Sequence, residues 1–206
     1  KETAHQLGTP ISSLLGWSDH IKRKGLSSKV IDYIDEDIDR LKEVSERFSK
    51  IGSKVKTSEL NLKNLLNNIV IYSKNRIPKT KNIKIEMKCH QDIGIYGDKI
   101  LLSWAFENLI KNSIDSIKSV SGKISIIATG KHSNKCIIDF VDSGAGIPRR
   151  YWKKIFKPGY TTKPRGWGVG LSLTKRIIEE IHSGKTYVQS SRSENSIIRV
   201  VLNKAK

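Results

Sequence analysis

Two glycine-rich segments could contact a phosphate-bearing ligand. They read DSGAGIP over residues 142–148 and GWGVGL over residues 166–171. Glycines let backbone N–H groups come close to a ligand, and the second segment leads into a predicted helix whose N-terminus favours phosphate. Neither segment matches the dinucleotide-binding fingerprint, and the chain lacks the P-loop pattern. Taken alone, each segment is explained equally well as a turn.

The predicted helix over residues 106–115, FENLIKNSID, carries Asn108 and Asn112 on one face, because they lie four residues apart. An asparagine amide competes with the helix backbone, so two of them on an otherwise apolar helix are costly unless a ligand uses them. An amide oxygen suits Mg²⁺, which keeps several waters and bridges phosphates. The pair therefore predicts a magnesium-binding role for Asn112.

The elements that must position these groups begin with a helical hairpin. Apolar residues recur at steps of three and four from Leu7 to Ile21 and from Ile31 to Phe48, with the turn sequence GLSS at 25–28 between the two runs. This spacing predicts two amphipathic helices with a coiled-coil-like seam. A hairpin of about 50 residues is too small to bury a sufficient core alone. We therefore expect two copies to form a dimeric four-helix bundle.

Residues 52–58, GSKVKTS, lack apolar periodicity and predict a linker, so we expect one domain at 1–56 and a second at 57–206. In the second domain, helices and strands mix without strict alternation. Helices are predicted at 61–76, 98–118, 151–156 and 171–181, and strands at 83–89, 123–129, 136–141, 187–190 and 197–202. This order predicts an α+β fold, a two-layer α/β sandwich with helices on one face of a mixed sheet.

Composition limits the class of protein. The 206 residues are 37% hydrophobic and 28% charged, as in soluble globular proteins. The apolar runs fall far short of the roughly 20 residues that span a bilayer. Cys89 and Cys136 lack the paired spacing of a metal or redox site, which fits a reducing cytoplasm. The chain begins without Met or a signal pattern, so we expect a fragment whose upstream sensor or membrane region is missing.

The net charge of +18 lies mostly in the second domain. Residues 1–56 hold 11 Lys and Arg against 9 Asp and Glu, whereas residues 57–206 hold 27 against 11. The lysines are spread over every element, without the aromatic and basic repeat of a nucleic-acid module. We therefore expect a solvated basic surface and no nucleic-acid partner. Part of the charge clusters near the second glycine-rich segment, where it could serve a polyphosphate.

His5 differs from the other four histidines by its place on the first predicted helix. It precedes Leu7 by two residues, which is about 200° around a helix, so it points away from the seam. Thr9 lies one turn further on the same face, and Pro10 is expected to bend the helix just beyond His5. A neutral imidazole attacks phosphorus when its second nitrogen donates its proton to an acceptor. The sequence alone therefore indicates that His5 is an accessible imidazole that could attack phosphorus.

In their order along the chain, these motifs resemble those of the sensor histidine kinases. Residues 5–10, HQLGTP, resemble the dimerisation and phosphoacceptor motif of that family. Residues 108–112 resemble its N box, and residues 142–146 its first glycine box. Phe156 resembles its F box, and residues 166–170 its second glycine box. The resemblance covers nearly the whole chain.

The resemblance implies a site for ATP and Mg²⁺. Asp142 would contact the adenine amino group, and Asn112 would bind Mg²⁺ with Asn108 beside it. Residues 157–165 resemble the mobile ATP lid. The nucleotide-binding residues implied for the two glycine boxes are Gly144, Gly146, Ile147, Gly168, Val169, Gly170 and Leu171, and those implied for the lid are Thr161, Thr162, Lys163 and Arg165.

The activity that the resemblance implies is ATP-dependent autophosphorylation of His5 in a homodimer. Transfer to an aspartate in the receiver domain of a response regulator would follow. Relatives usually have an acidic residue after the histidine, whereas this chain has Gln6, whose carbonyl oxygen can orient His5 without adding a charge. Thr9 stands where relatives use Thr or Asn to position water, which implies a phosphatase activity on the regulator.

Asn108 separates this chain from the related gyrase-like and chaperone ATPases, which carry a glutamate general base at that position. An amide cannot accept a proton, so we expect the site to hold ATP for a nucleophile other than water. Two alternatives stay open. One is a degenerate kinase that binds nucleotide and signals by conformation, which Gln6 suggests. The other is a nucleic-acid-binding ATPase, which the charge of +18 suggests.

Overall fold

The computed structural model describes residues 14, 16–21, 34, 38, 55–89, 92–130, 134–163 and 168–205. Contacts divide the chain into two compact units, Lys1–Val55 and Lys56–Lys206. Within the first unit, residues 16–21 are helical, and most of the predicted hairpin lies outside the described residues. The hairpin, its four-helix bundle and the division into domains 1–56 and 57–206 therefore stay predictions. None of the helices in the described part of the chain is long and apolar enough to cross a membrane.

The second unit is built from seven strands and three helices among its described residues. The strands are β1 Ser58–Asn61, β2 Asn82–Cys89, β3 Gly94–Gly97, β4 Ser121–Thr129, β5 Lys135–Asp142, β6 Lys185–Arg192 and β7 Asn195–Asn203. The helices are α1 Leu62–Lys74, α2 Lys99–Ser116 and α3 Gly170–Lys175. A π-helical segment, Arg176–Ile181, continues α3. Two short 3₁₀ turns, Arg149–Tyr151 and Lys154–Phe156, follow β5.

Five of the strands form one mixed sheet in the order β2-β4-β5-β7-β6. The β2 and β4 strands are parallel, and the other neighbours are antiparallel. Buried apolar residues lie next to each other on neighbouring strands, as in the row Ile126, Phe140 and Ile198. They make one face of the sheet apolar. Helix α2 packs on this row, with the rings of Phe106 and Phe140 5.5 Å apart. The predicted α+β fold with a mixed sheet is confirmed.

Two local features differ from the sequence prediction. The helix predicted at 151–156 consists of 3₁₀ turns, and Pro158 disfavours helical backbone at Lys157 just beyond them. A two-stranded antiparallel sheet, β1 with β3, was not predicted. Each of these strands has four residues, which is too short to show a period. Ile95 in β3 is nevertheless fully buried.

The start of α2 is fixed by a buried polar cluster. The carboxylate of Asp98 caps the helix, since its Oδ1 accepts the backbone N–H of Ile100 at 2.9 Å and of Leu101 at 3.1 Å. The backbone N–H of Asp98 donates to His182 Nε2 at 3.0 Å, so His182 carries its proton on Nδ1, which donates to the Ile177 carbonyl at 2.7 Å. This cluster joins α2 to the end of the α3 segment.

Burial lowers the pKa of His182 below its ordinary value of 6.5. The unfolded chain then binds a proton in a pH range where the folded chain does not, so stability is full above about pH 6.5 and falls as the pH drops below it. Between pH 7.5 and 5.5 we expect the free energy of unfolding to fall more for the wild type than for His182→Gln, with a slope difference of up to about 1.4 kcal/mol per pH unit. Urea titrations at each pH measure this difference, and parallel curves would contradict it.

Candidate functional site

The buried carboxylate of Asp142 joins the end of β5 to helix α2. Its Oδ1 accepts the hydroxyl of Ser116 and the backbone N–H of Gly144, both at 2.9 Å. Among the described residues, its Oδ2 accepts one longer bond, from the Ser113 hydroxyl at 3.3 Å. Asp142 is 6% exposed. The Oδ2 atom therefore keeps acceptor capacity for a further donor.

The pKa of Asp142 is raised above its ordinary value. Burial, which penalises the charged form, is the main cause. The hydrogen bonds from Gly144, Ser116 and Ser113 act in the opposite direction. At neutral pH this carboxylate can accept hydrogen bonds. On acidification it takes up a proton at a higher pH than an exposed aspartate does.

The loop after Asp142 packs tightly against neighbouring elements. A side chain at Gly144 would place a Cβ atom 1.9 Å from the Ser116 hydroxyl oxygen, so only glycine fits. Gly146 has a φ of +81°. The backbone N–H of Ile147 donates to the Ser191 hydroxyl at 2.7 Å and is therefore engaged within the protein. A role for Ile147 toward a ligand would depend on its half-buried side chain.

Asn108 and Asn112 lie on the side of α2 that meets α3 and the loop before it. The Asn108 amide nitrogen is 3.5 Å from the carbonyl oxygen of Gly170, the first residue of α3. The Asn112 amide oxygen accepts the Lys163 ammonium group at 3.1 Å. The same ammonium group contacts Asp115 Oδ2 at 2.5 Å. The two asparagines thus face the segments that were predicted to contact phosphate.

Within the segment between β5 and α3, Gly159 and Gly168 lie together and bound a loop. The backbone N–H of Gly159 donates to the carbonyl of Gly168 at 3.1 Å. Inside this loop, the hydroxyl of Thr161 accepts the backbone N–H of Lys163 at 3.0 Å. Thr161, Thr162 and Lys163 are all exposed. The loop therefore presents exposed polar side chains, of which Lys163 contacts Asn112.

The remaining predicted positions are placed as follows. Val169 is 41% exposed just before α3, and Leu171 is half-buried. Phe156 is buried, which gives it a packing role. Arg165 lies outside the described residues, as do His5, Gln6 and Thr9. The described structure therefore brings Asn108 to Gly170 and Asn112 to Lys163, and the nucleotide-binding roles and the phosphoacceptor helix stay predictions.

Three residues at the site were missed by the sequence prediction: Ser113, Asp115 and Ser116. Asp115 and Ser116 lie three and four residues after Asn112, so helical spacing already placed them near its face. The hydroxyls of Ser113 and Ser116 hold Asp142, and the carboxylate of Asp115 holds Lys163. The missed signal was the run of polar residues in the second half of the helix, where these three residues accompany the two asparagines.

Comparison with known proteins gives consistent matches. Residues 97–206 match the family described as histidine kinase-, DNA gyrase B-, and HSP90-like ATPase. Sporulation kinase C of Bacillus subtilis is 30% identical over 205 residues, which is 97% of this chain and 47% of that protein. Sensor histidine kinase ZraS of Salmonella typhimurium is 29% identical over 208 residues, which is 97% of this chain and 44% of that protein. The chain thus spans about half the length of these relatives.

Solved structures agree with this assignment. The catalytic domain of histidine kinase ThkA in a nucleotide-free form aligns with a TM-score of 0.65 and 29% identity, over 72% of this chain and 96% of that one. ThkA in complex with the response regulator protein TrrA aligns with a TM-score of 0.65 and 25% identity, over 99% of this chain and 60% of that one. The predicted resemblance to sensor histidine kinases is confirmed. The chain belongs to the histidine kinase-, DNA gyrase B- and HSP90-like ATPase family and carries a catalytic domain of the sensor histidine kinase type.

Proposed function

We propose that this chain is an ATP-dependent protein histidine kinase that phosphorylates His5 and passes the phosphoryl group to an aspartate of a response regulator. The observation that carries the proposal is the buried Asp142 carboxylate, which is held against the same helix that presents Asn108 and Asn112. The structure of ThkA with its response regulator supports the choice of partner. We place this activity in the cytoplasm, in a homodimer formed by the N-terminal hairpins.

The adenine ring would be recognised by Asp142. Its Oδ2 atom has one weak partner at 3.3 Å, so it can accept a hydrogen bond from the exocyclic amino group of adenine. The Ser113 and Ser116 hydroxyls and the Gly144 N–H fix the direction of the carboxylate. The exocyclic amino group of adenine is a hydrogen-bond donor and suits this carboxylate. Guanine has a carbonyl oxygen at the same ring position, and two acceptors cannot form a hydrogen bond.

Asn112 is the residue that would hold Mg²⁺. The Asn112 amide oxygen already accepts a hydrogen bond from the ammonium group of Lys163. This contact shows that the oxygen is accessible to a cation. A metal held by Asn112 would supply positive charge against the negative charge that develops during phosphoryl transfer. Asn108 and the start of α3 lie beside this position, and the polar loop residues Thr161 and Thr162 can reach toward phosphate.

The site would supply positioning and leave nucleophilic attack to another group. Asn108 takes the place of the glutamate base of related ATPases, and an amide cannot remove a proton from water. We propose His5 as the nucleophile: one imidazole nitrogen bonds to the γ-phosphorus as the bond from this phosphorus to the ADP oxygen breaks and ADP leaves. The other nitrogen keeps its proton, donates a hydrogen bond to the Gln6 carbonyl oxygen, and loses the proton to water afterwards. Thr9 would later position a water for dephosphorylation of the regulator. Whether the phosphoryl group moves within one subunit or between two is tested by mixing His5→Ala and Asn112→Ala chains.

The test of the kinase function is incubation with γ-labelled ATP and Mg²⁺. We expect an acid-labile, alkali-stable label that His5→Ala abolishes and that the control His20→Ala retains. Gln6→Ala should slow labelling by about tenfold or more, because the second imidazole nitrogen loses its acceptor. ATP binding without label in the wild type would favour a nucleotide-binding module, and label retained in His5→Ala would contradict the proposed phosphoacceptor.

Asp142→Asn should weaken ATP binding by about tenfold or more, since a hydrogen bond to a charged group is worth about 1.5–3 kcal/mol. Because the pKa of Asp142 is raised, wild-type affinity should fall as the pH drops through a range above that of an ordinary aspartate, while the variant shows a flatter profile. Equilibrium binding at several pH values measures both effects. Asp139→Asn is the matched control, since Asp139 pairs with Arg199 on the sheet. Equal pH profiles in the wild type and Asp142→Asn would contradict the adenine role.

Thr9→Ala should reduce dephosphorylation of the phosphorylated regulator by about tenfold or more while His5 labelling continues, because only the first reaction uses a positioned water. The measurement is loss of label from a purified phosphoregulator in the presence of ADP. Ser13→Ala, four residues further along the predicted helix, provides a control on a nearby hydroxyl. An unchanged dephosphorylation rate in Thr9→Ala would refute the role.

A further inference from the structure

A lysine ammonium group already lies on the oxygen that the proposed function assigns to the metal. Lys163 Nζ contacts Asn112 Oδ1 at 3.1 Å and Asp115 Oδ2 at 2.5 Å. The two acceptors are three residues apart on α2, whereas Lys163 is 51 residues from the first and 48 from the second. One cation thus joins the loop to the helix through two oxygens.

The loop holds Lys163 at this place through its own backbone. The Thr161 hydroxyl accepts the backbone N–H of Lys163 at 3.0 Å, which shapes the turn that carries the side chain. The bond from the Gly159 N–H to the Gly168 carbonyl joins the two ends of the loop. Lys163 therefore projects from a hydrogen-bonded turn, and its exposed side chain ends on Asn112 and Asp115.

The contact is weak enough to exchange. The Lys163 side chain is 44% exposed and that of Asp115 is 36% exposed, so water screens their attraction. Ion pairs with this exposure typically change an equilibrium by roughly fivefold or less. The Asn112 amide is neutral and contributes less than the Asp115 carboxylate does. Asp115 is therefore the group that keeps the ammonium beside Asn112.

Mg²⁺ and the Lys163 ammonium group would repel each other strongly if both lay on the Asn112 oxygen. Binding of Mg²⁺ to the Asn112 oxygen consequently requires Lys163 to leave that oxygen. Once released, the ammonium can stay paired with Asp115 or turn toward a phosphate oxygen. In both cases, the free energy needed to displace Lys163 lowers the net affinity for the metal.

We propose that Asp115 is a positioning residue that holds Lys163 on the Asn112 amide, so that the ammonium group competes with Mg²⁺ for this oxygen. The inference rests on the proposed function, since it takes Asn112 as the metal-binding residue. It gives Lys163 a role in the absence of nucleotide, beyond a contact with bound phosphate. We therefore expect the site to bind Mg²⁺ at a higher concentration than it would if Lys163 were absent.

The test measures ATP affinity of the full chain by equilibrium binding over a range of Mg²⁺ concentrations and takes the Mg²⁺ midpoint. Lys163→Met should lower the midpoint by about threefold, because the competing cation is gone. Asp115→Asn should also lower the Mg²⁺ midpoint of the wild-type chain. The same change added to Lys163→Met should not lower the midpoint further. Lys111→Met is the matched control, since it removes an exposed positive charge beside Asn112 in sequence and makes no contact with its amide oxygen.

The outcomes separate this inference from the function on which it rests. A higher midpoint in Asp115→Asn would overturn the inference and identify Asp115 as a direct support for the metal. Equal midpoints in Lys163→Met and Lys111→Met would also overturn it, because the effect would then be general charge. An Mg²⁺ midpoint that Asn112→Ala leaves unchanged would overturn the proposed metal role itself, and this inference with it.

Discussion

The position of the whole site depends on the hydrogen bonds of one buried carboxylate. Removing an ionised carboxylate from water is expensive unless donors replace the lost hydration. Asp142 finds these donors on two elements, with Ser113 and Ser116 on α2 and Gly144 on the loop that follows β5. The three bonds are satisfied together only when the sheet and the helix keep one separation. The packing of Phe106 on Phe140 supports the same arrangement from the apolar side.

Helix α2 consequently serves two purposes along its length. Its first half places its apolar side chains from Leu101 to Phe106 in the core, and its start is capped by Asp98 and tied to His182. Its second half turns polar where it meets Asp142 and the loop that carries Lys163. The apolar half stabilises the fold and fixes the axis of the helix. The polar half can then hold ligand-facing groups that would be costly on an unsupported helix.

Local patterns account for what could be predicted from the sequence. Asn108 and Asn112 share a face through helical spacing alone, and the alternation in β5 and β7 placed both strands in a sheet. Contacts between distant residues could not be predicted: Ser113 and Asp142 are 29 residues apart, and Asp115 and Lys163 are 48 apart. Their side chains meet only because the layers pack. Short elements such as β1 and β3 also escaped prediction, since their pairing follows from the fold and not from a repeating pattern.

The glycines near the site are required for different reasons. At Gly168, with a φ of +65°, a Cβ atom would lie 2.4 Å from the backbone of Gly159, so the closed loop itself demands glycine there. At Gly170, which begins α3, an added Cβ atom would have only ordinary contacts, the nearest being Asn108 Oδ1 at 3.7 Å. Among the described residues, packing around Gly170 therefore leaves room for a larger residue and does not by itself explain the glycine. A ligand that must approach this backbone explains it, which supports the proposed place of the phosphates between Gly170 and the asparagines of α2.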